Sequence, residues 1–226
     1  MGYPCNTMTE IDPKQFIITR KRKKYKFALF HNSPLCFEAE EWAKTSDADV
    51  LEMGAGTGLF SVALAANQLG KQFIAFDIKA DRLQHGARKA EKEGVSNLRF
   101  LRGRADLINE YFAPSSLDSI WVTFPDPFPK DRSAKHRLTH PRFLKLYDNL
   151  LKTGGALYFK TDARKLFDWS LEQLVAEGWR IQELSFDLHK SELSDDYKIM
   201  TTYEKRYTAE GIPINFVKAL PPKGEQ

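Results

Sequence analysis

Two cysteines occur in 226 residues. Cys5 and Cys36 stand far apart and outside any Cys-x-x-Cys or Cys/His ligand spacing, which excludes a disulfide framework or a zinc site as the organising feature. No metal is expected, and the scarcity of cysteine predicts a reducing, cytoplasmic setting. No apolar run approaches the ~20 residues that span a bilayer, and the N-terminus lacks the apolar stretch of a signal peptide. A membrane partner is therefore not expected. An excess of one charge is also largely missing: 34 Lys+Arg against 30 Asp+Glu leave +4.

That small excess is local. Arg20-Lys21-Arg22-Lys23-Lys24-Tyr25-Lys26 holds six bases and no acid, and without them the balance becomes −2. A concentrated basic segment suits a polyanionic partner better than a diffuse basic surface does. A solvated N-terminus accounts for it equally. The expected organisation is a basic arm over residues 1–32 ahead of one domain over residues 33–226, whose length allows a sizeable core around one sheet.

Past the arm, Leu35-Cys36-Phe37-Glu38-Ala39-Glu40-Glu41-Trp42 reads as a helix opened by Ser33 and Pro34. Strand and helix signals then alternate. Strands are expected at 50–52, 73–77, 98–101, 119–124 and 156–160, and helices at 59–69, 80–93 and 142–152. Gly70 and Gly94 close the first two helices, and Gly154 and Gly155 turn the chain before the fifth strand. In the next helix, ended by Gly178, Leu166, Phe167, Ser170, Leu171, Leu174 and Val175 share one face. Strands at 180–186 and 198–207, separated only by a loop, should pair antiparallel. Successive βα units predict an α/β, doubly wound, Rossmann-like sheet, mostly parallel with an antiparallel C-terminal strand pair. Ligands of such sheets bind beyond the carboxyl ends of the strands.

The first strand opens into Val50-Leu51-Glu52-Met53-Gly54-Ala55-Gly56-Thr57-Gly58. A glycine-rich turn between a buried strand and a helix admits a ligand close to the backbone. The dinucleotide pattern G-x-G-x-x-G fails here, because its third position is Leu59 and the glycine comes early at Gly58. A phosphate-binding loop fails as well, since Gly70-Lys71-Gln72 lies at the wrong end of the helix. What remains is an acid two residues before G-x-G-x-G and a second acid, Asp77, ending the next strand. This resembles the class I S-adenosylmethionine methyltransferases, whose donor has no phosphates to seat. Glu52 would then lie beside the cationic end of the donor and Asp77 would accept its ribose hydroxyls. The plainer alternatives are a helix-capping acid for Glu52 and a turn residue for Asp77.

The fourth strand runs into Phe124-Pro125-Asp126-Pro127-Phe128-Pro129-Lys130. Three prolines fix φ and hold Asp126 in a definite direction, although Pro-Asp-Pro also simply stops a strand. Lys130-Asp131-Arg132-Ser133-Ala134-Lys135-His136-Arg137-Leu138 follows, dense in cations as a phosphate-contacting surface would be. Residues 124–138, Phe159-Lys160-Thr161-Asp162, and Asp187-Leu188-His189-Lys190-Ser191 leading to Thr201-Thr202-Tyr203-Glu204 form three motifs in order. Here the chain resembles the bacterial tRNA (guanine-N7-)-methyltransferase family from about residue 15 to 217.

The resemblance implies transfer of a methyl group from S-adenosylmethionine to N7 of a guanine in the tRNA variable loop. Asp126 takes the catalytic position. Glu52, Gly54, Gly56, Asp77, Arg104, Ala105 and Asp126 match the donor site. Lys130, Asp162, Thr201, Thr202, Tyr203 and Glu204 match substrate positions, and Arg132, Ser133, Ala134, Lys135, His136 and Arg137 match the RNA-contacting stretch. Two residues depart from the pattern. Arg104 stands where the family carries Asp or Asn, so the adenine contact falls to the Ala105 backbone or Asp106 or is lost. Phe128 replaces a tryptophan and lacks its indole N–H. Rival readings are a methyltransferase for an exocyclic base amine, though only one proline separates acid from aromatic in Pro125-Asp126-Pro127-Phe128, and a catalytically idle RNA-binding subunit.

Overall fold

The computed structural model describes residues 12–15, 21–42, 47–200 and 202–222. Eight strands form one sheet: β1 (Cys36–Glu38), β2 (Val50–Met53), β3 (Phe73–Asp77), β4 (Leu98–Arg102), β5 (Leu117–Thr123), β6 (Leu151–Thr161), β7 (Arg180–Ser185) and β8 (Asn215–Leu220). Their order is β1-β4-β3-β2-β5-β6-β8-β7. The first six pair in parallel, whereas β8 inserts antiparallel between β6 and β7. The doubly wound sheet and its antiparallel C-terminal pair are thus as the alternation implied.

Seven helices occur among the described residues: α1 (Lys21–His31), α2 (Leu59–Asn67), α3 (Ala80–Glu93), α4 (Ile108–Tyr111), α5 (Pro141–Leu150), α6 (Arg164–Ala176) and α7 (Thr202–Ala209). Two apolar clusters cover the two faces of the sheet. One gathers Phe30 of α1, Phe60 of α2 and Leu83 of α3, and the other gathers Tyr111, Phe143 and Phe167 of α4, α5 and α6. Helix α3 shows the cause. Ala80, Leu83, Ala87 and Ala90 recur at helical spacing and are buried, and Gly94 stops the helix in the left-handed region at φ +71°.

Four expectations change. Gly154 and Gly155 do not turn the chain ahead of a strand but lie inside β6, which begins at Leu151 directly after α5. Residues 35–42 are not a helix: β1 lies along β4, and a 3-10 turn over Ala39–Glu41 follows. The outer edge of β4 needs partners for its backbone, and Phe100 N–H donates to Leu35 O at 2.8 Å. Residues 198–207 are not a strand either, since α7 begins at Thr202 and the antiparallel partner is β8 further on. On α6, Leu166, Phe167, Ser170 and Leu174 are buried as expected, while Val175 faces solvent at 65% exposure.

The basic run also takes a definite form. Arg20 lies outside the described residues, and the rest belongs to α1, which is anchored by the buried Ala28 and Phe30. No helix among the described residues is long and apolar enough to cross a membrane. Nor do they contain a cluster of three His, Cys, Asp or Glu side chains that could hold a metal.

Candidate active site

The carboxyl ends of β2, β3 and β5 converge on the glycine loop. Gly58 sits at φ +68°, and a Cβ there would come 2.6 Å from the Phe100 ring, so only glycine turns the chain tightly enough into α2. Gly54, at φ +72°, lies so close to Leu138 that a Cβ would meet its Cδ1 at 2.8 Å. The segment after the proline loop therefore packs directly over the glycine turn. Asp77 ties the turn to β3, its Oδ2 accepting from Gly56 N–H at 2.9 Å and its Oδ1 from Lys79 N–H at 2.8 Å. Each oxygen keeps a lone pair for a further donor. Burial pushes the Asp77 carboxyl above its ordinary value, against the pull of those two N–H groups.

Glu52 is buried at 2% exposure. Oε2 accepts from the backbone N–H of Ser61 at 3.3 Å and from its hydroxyl at 2.6 Å, and Oε1 accepts from the Thr123 hydroxyl at 2.6 Å. Gly58, the residue capping α2, has no side chain to offer. Glu52 thus takes over the cap by reaching the third helical N–H, so the capping reading of this acid holds geometrically. Desolvation nevertheless lifts its carboxyl to about 7 despite these donors and nearby Lys160.

Two cavities flank the loop and share Gly54, Arg82 and Phe124. The smaller, about 200 Å³, is lined by Glu52 and Gly56 together with Lys26, Arg82 and His85. The larger, about 630 Å³, brings together Asp77, Arg104, Ala105, Asp126, Phe128 and His136. Every residue assigned to the donor from the sequence therefore lines one of these two cavities. Lys26 is a wall residue that the sequence reading missed. Its signal lay in the spacing of Phe27 and Phe30 behind the basic run, which marks a helix docked by its apolar face rather than a free arm.

Arg104 does not stand alone. Its Nε and Nη2 donate to the two Asp106 oxygens at 3.2 and 2.8 Å, a bidentate pair that draws the Asp106 carboxyl downward. Both side chains are exposed, so the pair contributes little to stability. The pair engages both oxygens of the Asp106 carboxylate beside Ala105 on the cavity wall. Phe128, in place of the expected tryptophan, sets its ring 5.6 Å from His136 on the cavity wall.

Asp126 is exposed between Phe124 at φ +47° and Phe128 at φ +43°. Lys130, Arg132 and Lys135 are exposed around the following 3-10 segment Asp131–His136, while Ser133 and Ala134 are half-buried in it. Arg137 differs from its neighbours, being buried at 7% exposure. Asp162, at the carboxyl end of β6, is half-buried, and burial raises its carboxyl. Neither it nor Lys130 lines the two cavities. Thr201 lies outside the described residues, and Thr202 and Tyr203 are described only as the start of α7. Glu204 is wholly buried, where Oε1 meets Lys160 Nζ at 3.0 Å and His189 Nε2 at 2.9 Å.

A doubly wound sheet whose first βα turn is glycine-rich, with Glu52 one residue before the end of β2 and Asp77 ending β3, is the arrangement of a class I methyltransferase. The solved structure of the 16S rRNA methyltransferase KamB shares this fold with a TM-score of 0.59 at 15% identity, covering 78% of this chain and 89% of that one. An antibiotic related methyltransferase gives 0.54 at 18% identity over 95% and 96% of the two chains. The profile of the family described as "Putative methyltransferase" matches residues 46–217. Proteins named tRNA (guanine-N(7)-)-methyltransferase are similar over most of the chain. That of Cytophaga hutchinsonii is 39% identical over 79% of this chain and 82% of its own, and that of Lachnoclostridium phytofermentans is 42% identical over 75% and 79%. The Brevibacillus brevis protein is 35% identical over 85% and 91%. This chain belongs to the tRNA (guanine-N7-)-methyltransferase family.

Proposed function

We propose that the protein transfers a methyl group from S-adenosylmethionine to N7 of a guanine in the variable loop of tRNA, in the cytoplasm. The observation that carries this reading is the shared cavity of Asp77 and Asp126, joined to the glycine loop and lined also by His136 of the cation-rich segment in which Arg132 and Lys135 are exposed. S-adenosylmethionine supplies the electrophilic sulfonium methyl. The residues present fit such a donor: Asp77 keeps lone pairs for two ribose hydroxyls, Gly56 leaves open space where a Cβ would stand, and Glu52 presents a carboxyl whose ionised form a neighbouring cation favours.

Guanine N7 carries an in-plane lone pair and no proton at neutral pH, so the protein's main task is alignment rather than proton removal. Asp126 supplies a fixed carboxylate at the place where positive charge develops on the purine. Asp162, raised by burial, accepts from the guanine N1–H and amino group, and Lys130 meets O6 or a nearby phosphate. Arg132 and Lys135 hold the RNA backbone, with His136 at the junction between that surface and the cavity. Extracting a stacked base costs roughly a few kcal/mol, which favours a loosely held nucleotide such as one in the variable loop. Incubation of the protein with bulk tRNA and labelled donor, followed by nucleoside mass analysis, tests the proposal. The expected product is 7-methylguanosine; a methylated exocyclic amine, or no transfer, overturns it.

A further inference from the structure

Arg137 closes a stretch of cations that reads as an RNA surface, yet its charge is directed inward. Nη2–H donates to the Phe128 carbonyl at 2.9 Å, and Nε–H is shared between the carbonyls of Pro127 and Phe128, each at 3.3 Å. The guanidinium lies 4.4 Å from the centre of the Trp169 ring on α6. The neighbouring segment is fixed as well, through the Thr139 and Ser170 hydroxyls at 2.6 Å and Leu138 against Gly54.

The loop that Arg137 grips needs an external support. Phe124 and Phe128 both sit at positive φ, and both precede prolines, a combination that costs free energy in any residue other than glycine. Such backbone persists only where the surroundings over-determine it. Pro125, Pro127 and Pro129 have no N–H, so the loop has few donors of its own for its carbonyls. Arginine supplies what is missing: a rigid fork that bridges two carbonyls and a flat face that stacks on an indole. Asp126 is carried on the backbone immediately before the two gripped residues.

We propose that Arg137 is a positioning residue, which holds the Pro127 and Phe128 carbonyls from its seat on Trp169 and thereby aims the Asp126 carboxylate without itself contacting RNA. The proposal rests on the reading of Asp126 as the catalytic carboxylate. It separates Arg137 from Arg132 and Lys135, which share its stretch of sequence but face solvent.

Lysine distinguishes the two roles, because it keeps the charge that a phosphate would require but has neither fork nor stacking face. Methyl transfer kinetics and tRNA binding across a salt series are measured for the wild type, Arg137→Lys, Arg137→Gln and Trp169→Leu, with thermal melts followed by circular dichroism. Formation of 7-methylguanosine by the wild type establishes the reaction; its absence counts against the functional reading and leaves Arg137 to be judged by tRNA binding alone, where any loss in Arg137→Gln that lysine restores overturns the proposal. Expected is a fall in kcat of about 100-fold in Arg137→Lys, as for an ångström-scale misplacement of a reacting group, with KM for tRNA and the salt slope unchanged. Trp169→Leu removes no charge and lowers kcat in the same direction, which keeps the test decisive should the arginine variants fail to fold. Wild-type kcat in either Arg137→Lys or Trp169→Leu overturns the proposal.

Discussion

Lys160 and Glu204 form an ion pair of 3.0 Å with both side chains wholly buried. The same ammonium donates to the carbonyls of Tyr197 at 2.9 Å and Ile199 at 3.0 Å, so one lysine at the end of β6 gathers three points of the segment that leads into α7. Burial pulls the Lys160 ammonium below its ordinary value, and Glu204 opposes that pull. Glu204, matched to a substrate position by sequence, lies within this network, which ties the start of α7 to the end of β6.

Removing one partner should strand a buried charge. Lys160→Met or Glu204→Gln alone is expected to cost roughly 3–5 kcal/mol of stability, and the double variant clearly less than the sum. Urea unfolding of the four proteins gives the coupling energy. Additive losses would show that the pair is not a unit.

Glu52 predicts a pH dependence of stability. Its carboxyl moves from an ordinary 4.5 to about 7 on folding, so between those values the folded chain keeps a proton that the unfolded chain has released. Stability therefore falls as pH rises through that interval, by about 1.4 kcal/mol for each pH unit crossed and on the order of 3 kcal/mol in all. Glu52→Gln should flatten the slope. Equal slopes between pH 4.5 and 7 in the two proteins would assign the dependence elsewhere.

Asp126 is exposed and makes no contribution to the core, so Asp126→Ala should melt as the wild type does. Its methyl transfer should drop by ~100- to 1000-fold, the scale of losing one preorganised electrostatic group. Single-turnover assays with pre-bound tRNA read the chemical step directly. Wild-type turnover would remove the residue from catalysis.

Arg132 and Lys135 should act through phosphates. Neutralising each to glutamine is expected to weaken tRNA binding and to lower the slope of log K against log salt by roughly 0.7–0.9 for each phosphate no longer neutralised. A slope that stays constant in the double variant would take this surface out of the interface.

Much of the architecture was legible in the chain. Residues 73–77 and 80–93 form their expected strand and helix with no change of boundary, because the apolar periods are clean and Gly94 is the only residue there suited to a left-handed stop. The placement of Glu52, Gly54, Gly56 and Asp77 around one turn was equally legible, since a strand, a glycine turn and a helix in that order leave them few places to go. The 198–207 segment was not. Its aromatic and β-branched residues suit a strand, but Lys160, nearly forty positions earlier, binds the Ile199 carbonyl and Glu204 and holds the segment off the sheet.

By itself the sequence determined the parallel sheet, the glycine loop at its carboxyl edge and the proline-bracketed Asp126, for each follows from local periodicity or from the restricted φ of glycine and proline. Tertiary structure alone decided which charges face water. Arg132, Lys135 and Arg137 are alike in a one-letter reading, and two backbone carbonyls beside an indole turn the third inward. Burial likewise makes Glu52 both a helix cap and an acid near neutrality. Desolvation and hydrogen-bond satisfaction depend on what the rest of the chain brings within a few ångströms, and no local pattern carries that information.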